Sequence, residues 1–314
     1  MTVQIASSIR HEPAYALPPR LRKADGTPRR VGVEVEFGRL SAAAAADALV
    51  AALGGTVTAE DPHAFHIVGS DIGDLVVELD LRLSHPARHP GTPQGRLSPG
   101  IGALLGHAAS RIVPRELVTR PLDLDRLADV DRAVRALAAA GARPVGPASY
   151  GLHFNVDPPQ TDATTILAYL RAYLILAEPL RASAGPAGWF DPRPPFPPAY
   201  EALVLDPAYR PDAATLLADY VRHNPTRRRD LDLLPLLLHL DPERVRAALP
   251  TEKIGRRPVL HYRLPAAAVG EPGWSPAAAW NRWVAVERLA ADPDMLAQAL
   301  GDPAVRRRLA AALA

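Results

Sequence analysis

Four short stretches of this chain place ionisable or polar side chains at alternate positions, with apolar ones between them. In RVGVEVEF (30–37), Val31, Val33, Val35 and Phe37 alternate with Gly32, Glu34 and Glu36. In DLVVELDLRL (74–83), Leu75, Val77, Leu79 and Leu81 share one face and Glu78 and Asp80 the other. GLHFNVD (151–157) sets Leu152, Phe154 and Val156 against His153, Asn155 and Asp157; VLHYRLP (259–265) sets Leu260, Tyr262 and Leu264 against His261 and Arg263. A period of two is that of a β-strand, so each stretch has a core face and a face of carboxylates, imidazoles or guanidinium. Glu34 and Glu36 then lie roughly 7 Å apart on one side of their strand. One reading is a one-sided antiparallel sheet whose polar face meets water. The other is a cation site. Solvated sheet faces are usually mixed with Thr, Ser and Lys, whereas carboxylates disfavour strands and repel one another as neighbours. Several on one face need a compensating cation, and an oxygen-rich ligand set with an imidazole suits Mg²⁺ or Mn²⁺.

These positions must be held by elements that the rest of the sequence outlines. Strands are expected at 30–38, 63–69, 73–83, 115–120, 150–157 and 258–264. Ser41 caps a helix that stops at Gly54-Gly55, and a second helix ends at Gly141. An apolar helix opens at Thr161 and is expected to end at Pro179; Ser275 and Pro276 start another that ends before Pro293. Shorter helices are expected at 211–222, 229–239, 242–249 and 293–312. The Pro-rich FDPRPPFPPAYEALVLDP (190–207) reads as a long loop, either a lid or an irregular connection. Several strands come in a row near the N-terminus, and the last two are separated by a helical insertion at about 158–250. That order indicates an α+β fold with a mostly antiparallel sheet. With no repeat and no shift in composition, residues 1–28 read as an N-terminal extension and 29–314 as one domain.

The chain of 314 residues is 48% apolar and 22% charged with a net charge of +2, as expected of a globular protein with a large core. It has no cysteine, which excludes disulfides, thiolate metal sites and cysteine nucleophiles and leaves oxygen and imidazole as metal ligands. No uninterrupted apolar run reaches membrane length, and the N-terminal stretch lacks the apolar segment of a signal peptide, so a soluble, cytoplasmic protein is expected. Positive charge is almost all arginine, Lys23 and Lys253 being the only lysines. A GC-rich genome accounts for that bias, so the basic balance calls for no nucleic-acid partner. Of the arginine triplets, 306–308 reads as the solvated face of an Ala-rich helix. No Gly-rich turn followed by Gly-Lys-Ser/Thr and no Gly-x-Ser-x-Gly elbow is present.

Gly-Val-Glu-Val-Glu-Phe at 32–37, Glu-Leu-Val-Thr-Arg-Pro-Leu at 116–122, Gly-Leu-His-Phe-Asn at 151–155 and His-Tyr-Arg-Leu-Pro at 261–265 follow one another as in a known family. From about residue 29 to about 290 the chain resembles the amidoligases of the glutamine synthetase and glutamate–cysteine ligase superfamily of carboxylate–amine ligases. The resemblance implies a curved antiparallel sheet with helices on one face, its concave face holding ATP and two or three divalent cations. It also implies a reaction in which ATP phosphorylates a substrate carboxylate and an amine displaces the phosphate. On that model Glu34 and Glu36 each ligate a different metal, Glu116 is a further ligand with Glu78 a competitor for its role, and His153 is the imidazole ligand. Arg263 sits over the transferred phosphoryl group, where a guanidinium neutralises developing charge. Asn155 and His261 fall at the ATP site, Arg227 and Arg229 are candidates for its phosphates, and Arg228 points away. A solvated helix start is the alternative for that triplet. Glu36 and Asp71 complete the residues assigned to the reaction, although Asp71 also reads as a turn former. The substrates implied are a small-molecule, amino-acid or peptide carboxylate and an amine, with selectivity expected in the segment 183–210.

Two departures bear on these roles. His261 stands where the family's last strand usually has glutamate, which removes a negative charge from the nucleotide metal site and weakens Mg²⁺ there. Asn155 stands where the family's second histidine is expected, and it cannot act as a base. The changes mark either a subfamily with different metal or substrate use or a non-catalytic relative that binds nucleotide or metal.

Overall fold

The computed structural model describes residues 14–81, 84–88, 98–109, 113–144, 150–184 and 193–313. Ten strands pair into a single sheet: β1 (Arg30–Phe37), β2 (Thr56–Asp61), β3 (Ala64–Ser70), β4 (Gly73–Leu79), β5 (Arg115–Thr119), β6 (Leu122–Asp123), β7 (Tyr150–Val156), β8 (Leu231–Asp232), β9 (Leu260–Tyr262) and β10 (Ala266–Ala267). Their order is β2-β3-β4-β5-β1-β7-β9-β8, with β6 on β1 and β10 on β7, and every pairing is antiparallel. The helices are α1 (Ala42–Leu53), α2 (Pro99–Ala109), α3 (Asp129–Ala139), α4 (Ala163–Ser183), α5 (Pro198–Leu205), α6 (Ala213–His223), α7 (Leu234–Leu240), α8 (Pro242–Ala248), α9 (Ala277–Ala290), α10 (Pro293–Gly301) and α11 (Pro303–Leu313). This is the α+β class with an open antiparallel sheet.

The alternation seen in the sequence decides which face of the sheet the helices cover. Val31, Val33, Val35 and Phe37 are fully buried, as are Leu152, Phe154 and Val156, and Leu260 and Tyr262 are nearly so. Phe154 meets Trp280 of α9 with ring centres 5.4 Å apart, and Tyr262 meets Trp283 at 5.0 Å. Farther along the sheet the apolar face packs on α1, whose Ser41 Oγ caps the Ala44 N–H at 3.2 Å. A buried ion pair fastens the start of β1 to this layer. Arg29 Nη1 and Nη2 donate to Glu287 at 2.8 and 2.7 Å, and Tyr169 Oη and Trp283 Nε1 donate to the same carboxylate at 3.0 and 2.9 Å. A carboxylate that accepts four bonds is well compensated for its burial.

Several expected boundaries are revised. α4 runs through Pro179 to Ser183, because α9 and the core hold its buried face. It is long and apolar enough by length and composition to cross a membrane, yet two-thirds of it is buried inside the fold, as a core helix is. The stretch expected to be a loop contains α5: Pro197 and Pro198 sit where a missing N–H costs nothing, and Phe196, Tyr200 and Val204 recur every four residues on its buried side. The helix expected at 229–239 is β8 followed by α7, and that at 293–312 is two helices divided at Asp302, which caps Ala304. β4 stops at Leu79, short of residue 83. β2 and α2 add elements the sequence reading did not name. Residues 185–192 of the segment expected to set selectivity, and 1–13 of the N-terminal extension, lie outside the described residues.

Candidate functional site

Register turns the polar positions of six strands into three rows on the sheet face opposite the helices. In the first row Glu78 of β4 lies opposite Glu116 of β5, and Glu116 opposite Glu36 of β1. In the second, two residues along, Glu34 lies opposite His153 of β7. In the third, Gly32, Asn155, His261 and Asp232 follow one another across β1, β7, β9 and β8. Rows are about 7 Å apart. Seven of the residues singled out in the sequence, Glu34, Glu36, Glu78, Glu116, His153, Asn155 and His261, are therefore brought onto one face. It is not a wet face: His153, Asn155 and His261 are 7%, 7% and 3% exposed.

Each carboxylate but one has a partner within the fold. Glu34 Oε2 meets His153 Nδ1 at 2.9 Å, and its Oε1 accepts from Asn155 Nδ2 at 2.7 Å and Arg257 Nη1 at 3.0 Å. Glu36 Oε2 accepts from the Gly151 N–H at 2.8 Å. Gly151 is required here, since a Cβ would stand 2.4 Å from His153 Nε2 and 3.0 Å from Glu36 Oε1. Glu78 Oε2 accepts from Arg88 Nη1 at 2.7 Å, and Arg88 also forks onto Glu60. Glu116 makes no hydrogen bond or ion pair among the described residues and sits between two other carboxylates.

The protonation equilibria follow from this. Burial pushes the Glu34 carboxyl up, but the hydrogen bond and charge of His153, with His261 and Arg257 behind it, hold it well below the usual carboxylate range. Burial pushes Glu116 up, and the charges of Glu34, Asp80, Glu36 and Glu78 push it further, well above that range. Burial lowers His261, against the opposing pull of Asp232 and Glu34. Among the described residues, His153 Nε2 and both nitrogens of His261 are buried without a hydrogen-bond partner, and the two rings stand edge to face at 5.3 Å. Glu34, His153 and His261 each offer a ligand atom within 4.8 Å of the others. An ion at the centre of such a triangle lies within about 2.8 Å of each, and small side-chain rotations close the remaining gap to bonding distance.

A family model described as "Putative amidoligase enzyme" matches residues 27–285, which includes every strand that carries these rows. The chain belongs to the amidoligase family. No curated protein and no solved structure matches it. The remaining positions expected from the family resemblance fall as follows. Arg263 follows β9 directly, and its Nη1 donates to the Arg227 carbonyl at 2.6 Å. Arg227 is exposed and bonded to the Lys253 carbonyl, while Arg228 is exposed. Arg229 is buried, donates to the Pro195 carbonyl and stands 5.9 Å over the Phe196 ring. Asp71 is at the tip of the β3–β4 turn, the length of β4 away from Glu78, and pairs with Arg132 at 2.9 Å. It is not brought to the cluster.

Three residues of this cluster have no counterpart among the positions singled out in the sequence. Asp232 reaches the His261 side through β8, and the alternation Asp230-Leu231-Asp232 around a buried leucine was its signal. Arg257 comes from a loop and Arg88 from the single 3₁₀ turn Pro86–Arg88, where no periodicity marks a side chain that folds back onto a sheet.

Proposed function

We propose that the protein is an ATP-dependent carboxylate–amine ligase whose antiparallel sheet serves as a glutamine synthetase-like floor for nucleotide and divalent cations. Family membership supports a ligase. The observation that carries the rest is the uncompensated carboxylate of Glu116 between Glu36 and Glu78, beside imidazoles whose buried nitrogens lack partners. Leaving like charges together and imidazoles unbonded is costly unless a cation completes them. The donor set fits such ions: Glu36, Glu116 and Glu78 offer oxygen, and Glu34, His153 and His261 offer one oxygen and two nitrogens. Divalent cations held there supply charge neutralisation for polyphosphate and for the phosphoryl group in transfer.

The chain's own residues supply the rest. Glu34 fixes His153 through Nδ1, and the Asp232 carboxylate 3.7 Å from His261 Nδ1 orients the second ring. Gly151 leaves the room that His153 Nε2 and Glu36 Oε1 occupy. Arg263, held by the Arg227 carbonyl, offers a fixed guanidinium to anionic oxygen at the end of β9, and exposed Arg227 lies beside it. The reaction assigned is activation of a substrate carboxylate as an acyl phosphate followed by attack of an amine and loss of phosphate. Calorimetric titration of ATP with Mg²⁺ and then Mn²⁺, on wild type and Glu36→Gln, tests this. Metal-dependent binding that the variant loses is the expected result. Binding without phosphate release against any carboxylate and amine would identify a non-catalytic relative, and no binding with either metal would overturn the nucleotide reading.

A further inference from the structure

A cleft of about 560 Å³ lies on the helical side of the sheet, among the first turns of α4, the connection at 207–211 and the α9–α10 junction. Its size is within the range of small-molecule sites. Three arginines line it, Arg20, Arg171 and Arg210, and no acidic residue does. Arg171 is only 9% exposed, yet it has no carboxylate partner among the described residues. Its Nε donates to the Val204 carbonyl at 2.9 Å and its Nη2 to the carbonyls of Asp206 and Tyr209 at 2.8 and 2.7 Å. These three bonds fix the plane of the guanidinium and leave Nη1 without a bond among the described residues.

The charge balance of the cleft calls for an anion. Burial and the neighbouring Arg210 both make the charged form of Arg171 less favourable, and the Asp206 carboxylate offsets only part of this while it caps Ala208. Arg20 and Arg210 are exposed, and neither side chain makes a hydrogen bond or ion pair among the described residues. Apolar residues line it as well: Leu167, Leu296 and Leu300 are buried, with Ala168 and Ala297 beside them. With Nε and Nη2 committed to three carbonyls, the pre-set guanidinium keeps Nη1 to donate to a carboxylate or phosphate oxygen.

We propose that this cleft is a second binding site, separate from the ligase face, for an anionic amphiphile whose carboxylate or phosphate head meets Arg171 and Arg210 and whose apolar body lies on Leu167, Leu296 and Leu300. The site stands on the far side of α4 from the carboxylate rows, so it holds whatever the sheet binds.

Calorimetric titration of the full-length protein with octanoate, octyl phosphate and inorganic phosphate, with no nucleotide or metal, tests the proposal. Arg210→Glu reverses one charge, and Ala297→Trp fills the apolar half from an exposed position; both leave the core intact, as circular dichroism checks. Octanoate or octyl phosphate, kept below its critical micelle concentration, is expected to bind at least about tenfold more tightly than inorganic phosphate, and each variant to lose about tenfold or more. Whichever amphiphile binds more tightly identifies the head group. Absence of binding by both, inorganic phosphate binding as tightly as they do, or Ala297→Trp binding them unchanged would each overturn it.

Discussion

Replacing Glu116 with Gln is expected to stabilise the metal-free protein while weakening its response to divalent cations. By register Glu116 has Glu36 and Glu78 as direct neighbours, and it alone among the four glutamates accepts no hydrogen bond and makes no ion pair among the described residues. One carboxylate about 6 Å away, at an effective dielectric of 20 to 40, costs roughly 1.5–3 kcal/mol. The protein escapes part of that cost by keeping Glu116 protonated, since burial and its neighbours raise it well above the usual range. A net gain of about 1–2 kcal/mol for Gln near pH 8 is therefore expected. The sign with pH follows from linkage. A carboxyl whose folded value is raised favours the folded state fully below its unfolded value and loses that contribution as pH rises through the folded one. The advantage of Gln should thus be absent near pH 4 and grow towards alkaline pH. Urea denaturation across that range in the presence of a chelator measures it, and repetition with excess Mn²⁺ should stabilise wild type more than the variant. A variant less stable than wild type near pH 8 without metal would refute the reasoning, because Glu116 would then be a satisfied partner and not a repelled one.

Gly151→Ala should displace His153 or Glu36, whose atoms occupy the space of the new methyl, and so lower Mn²⁺ affinity about tenfold or more with less than about 1.5 kcal/mol lost in denaturation. Glu287→Gln should destabilise by about 3–5 kcal/mol, since it leaves the Arg29 guanidinium charged and fully buried; a loss under about 1 kcal/mol would show that Tyr169 and Trp283 do not depend on that charge. The hydrogen bonds of Arg88 lower Glu60 to about 2, with a smaller contribution from His66 and against partial burial. That contribution is present above the unfolded value near 4.5 and is lost as pH falls through about 2, so Glu60→Gln should cost about 1–2 kcal/mol at neutral pH, after allowance for solvent, with the difference closing in acid. An unchanged difference near pH 2.5 would contradict it.

The period-two alternation in 30–37, 151–157 and 259–265 was sufficient to assign every side chain there to a face, because a strand has only two and an apolar core accepts only one. The absence of cysteine limited the ligands to oxygen and imidazole, and the order of four motifs indicated the family that residues 27–285 belong to. Which polar positions become neighbours was another matter. Glu78 and Glu36 are 42 residues apart in sequence and meet only through β5, while Asp71, a few residues from Glu78, is carried to the opposite end of β4. Register and strand order depend on contacts between distant segments, so sequence proximity gives no guide to them. The arginines at 88 and 257, on a short 3₁₀ turn and a loop, the two-residue β8 that brings Asp232 to His261, and α5 inside a Pro-rich stretch were decided by tertiary packing. Each is too short or too irregular to carry a periodic signal, and each is held by partners the local sequence does not contain.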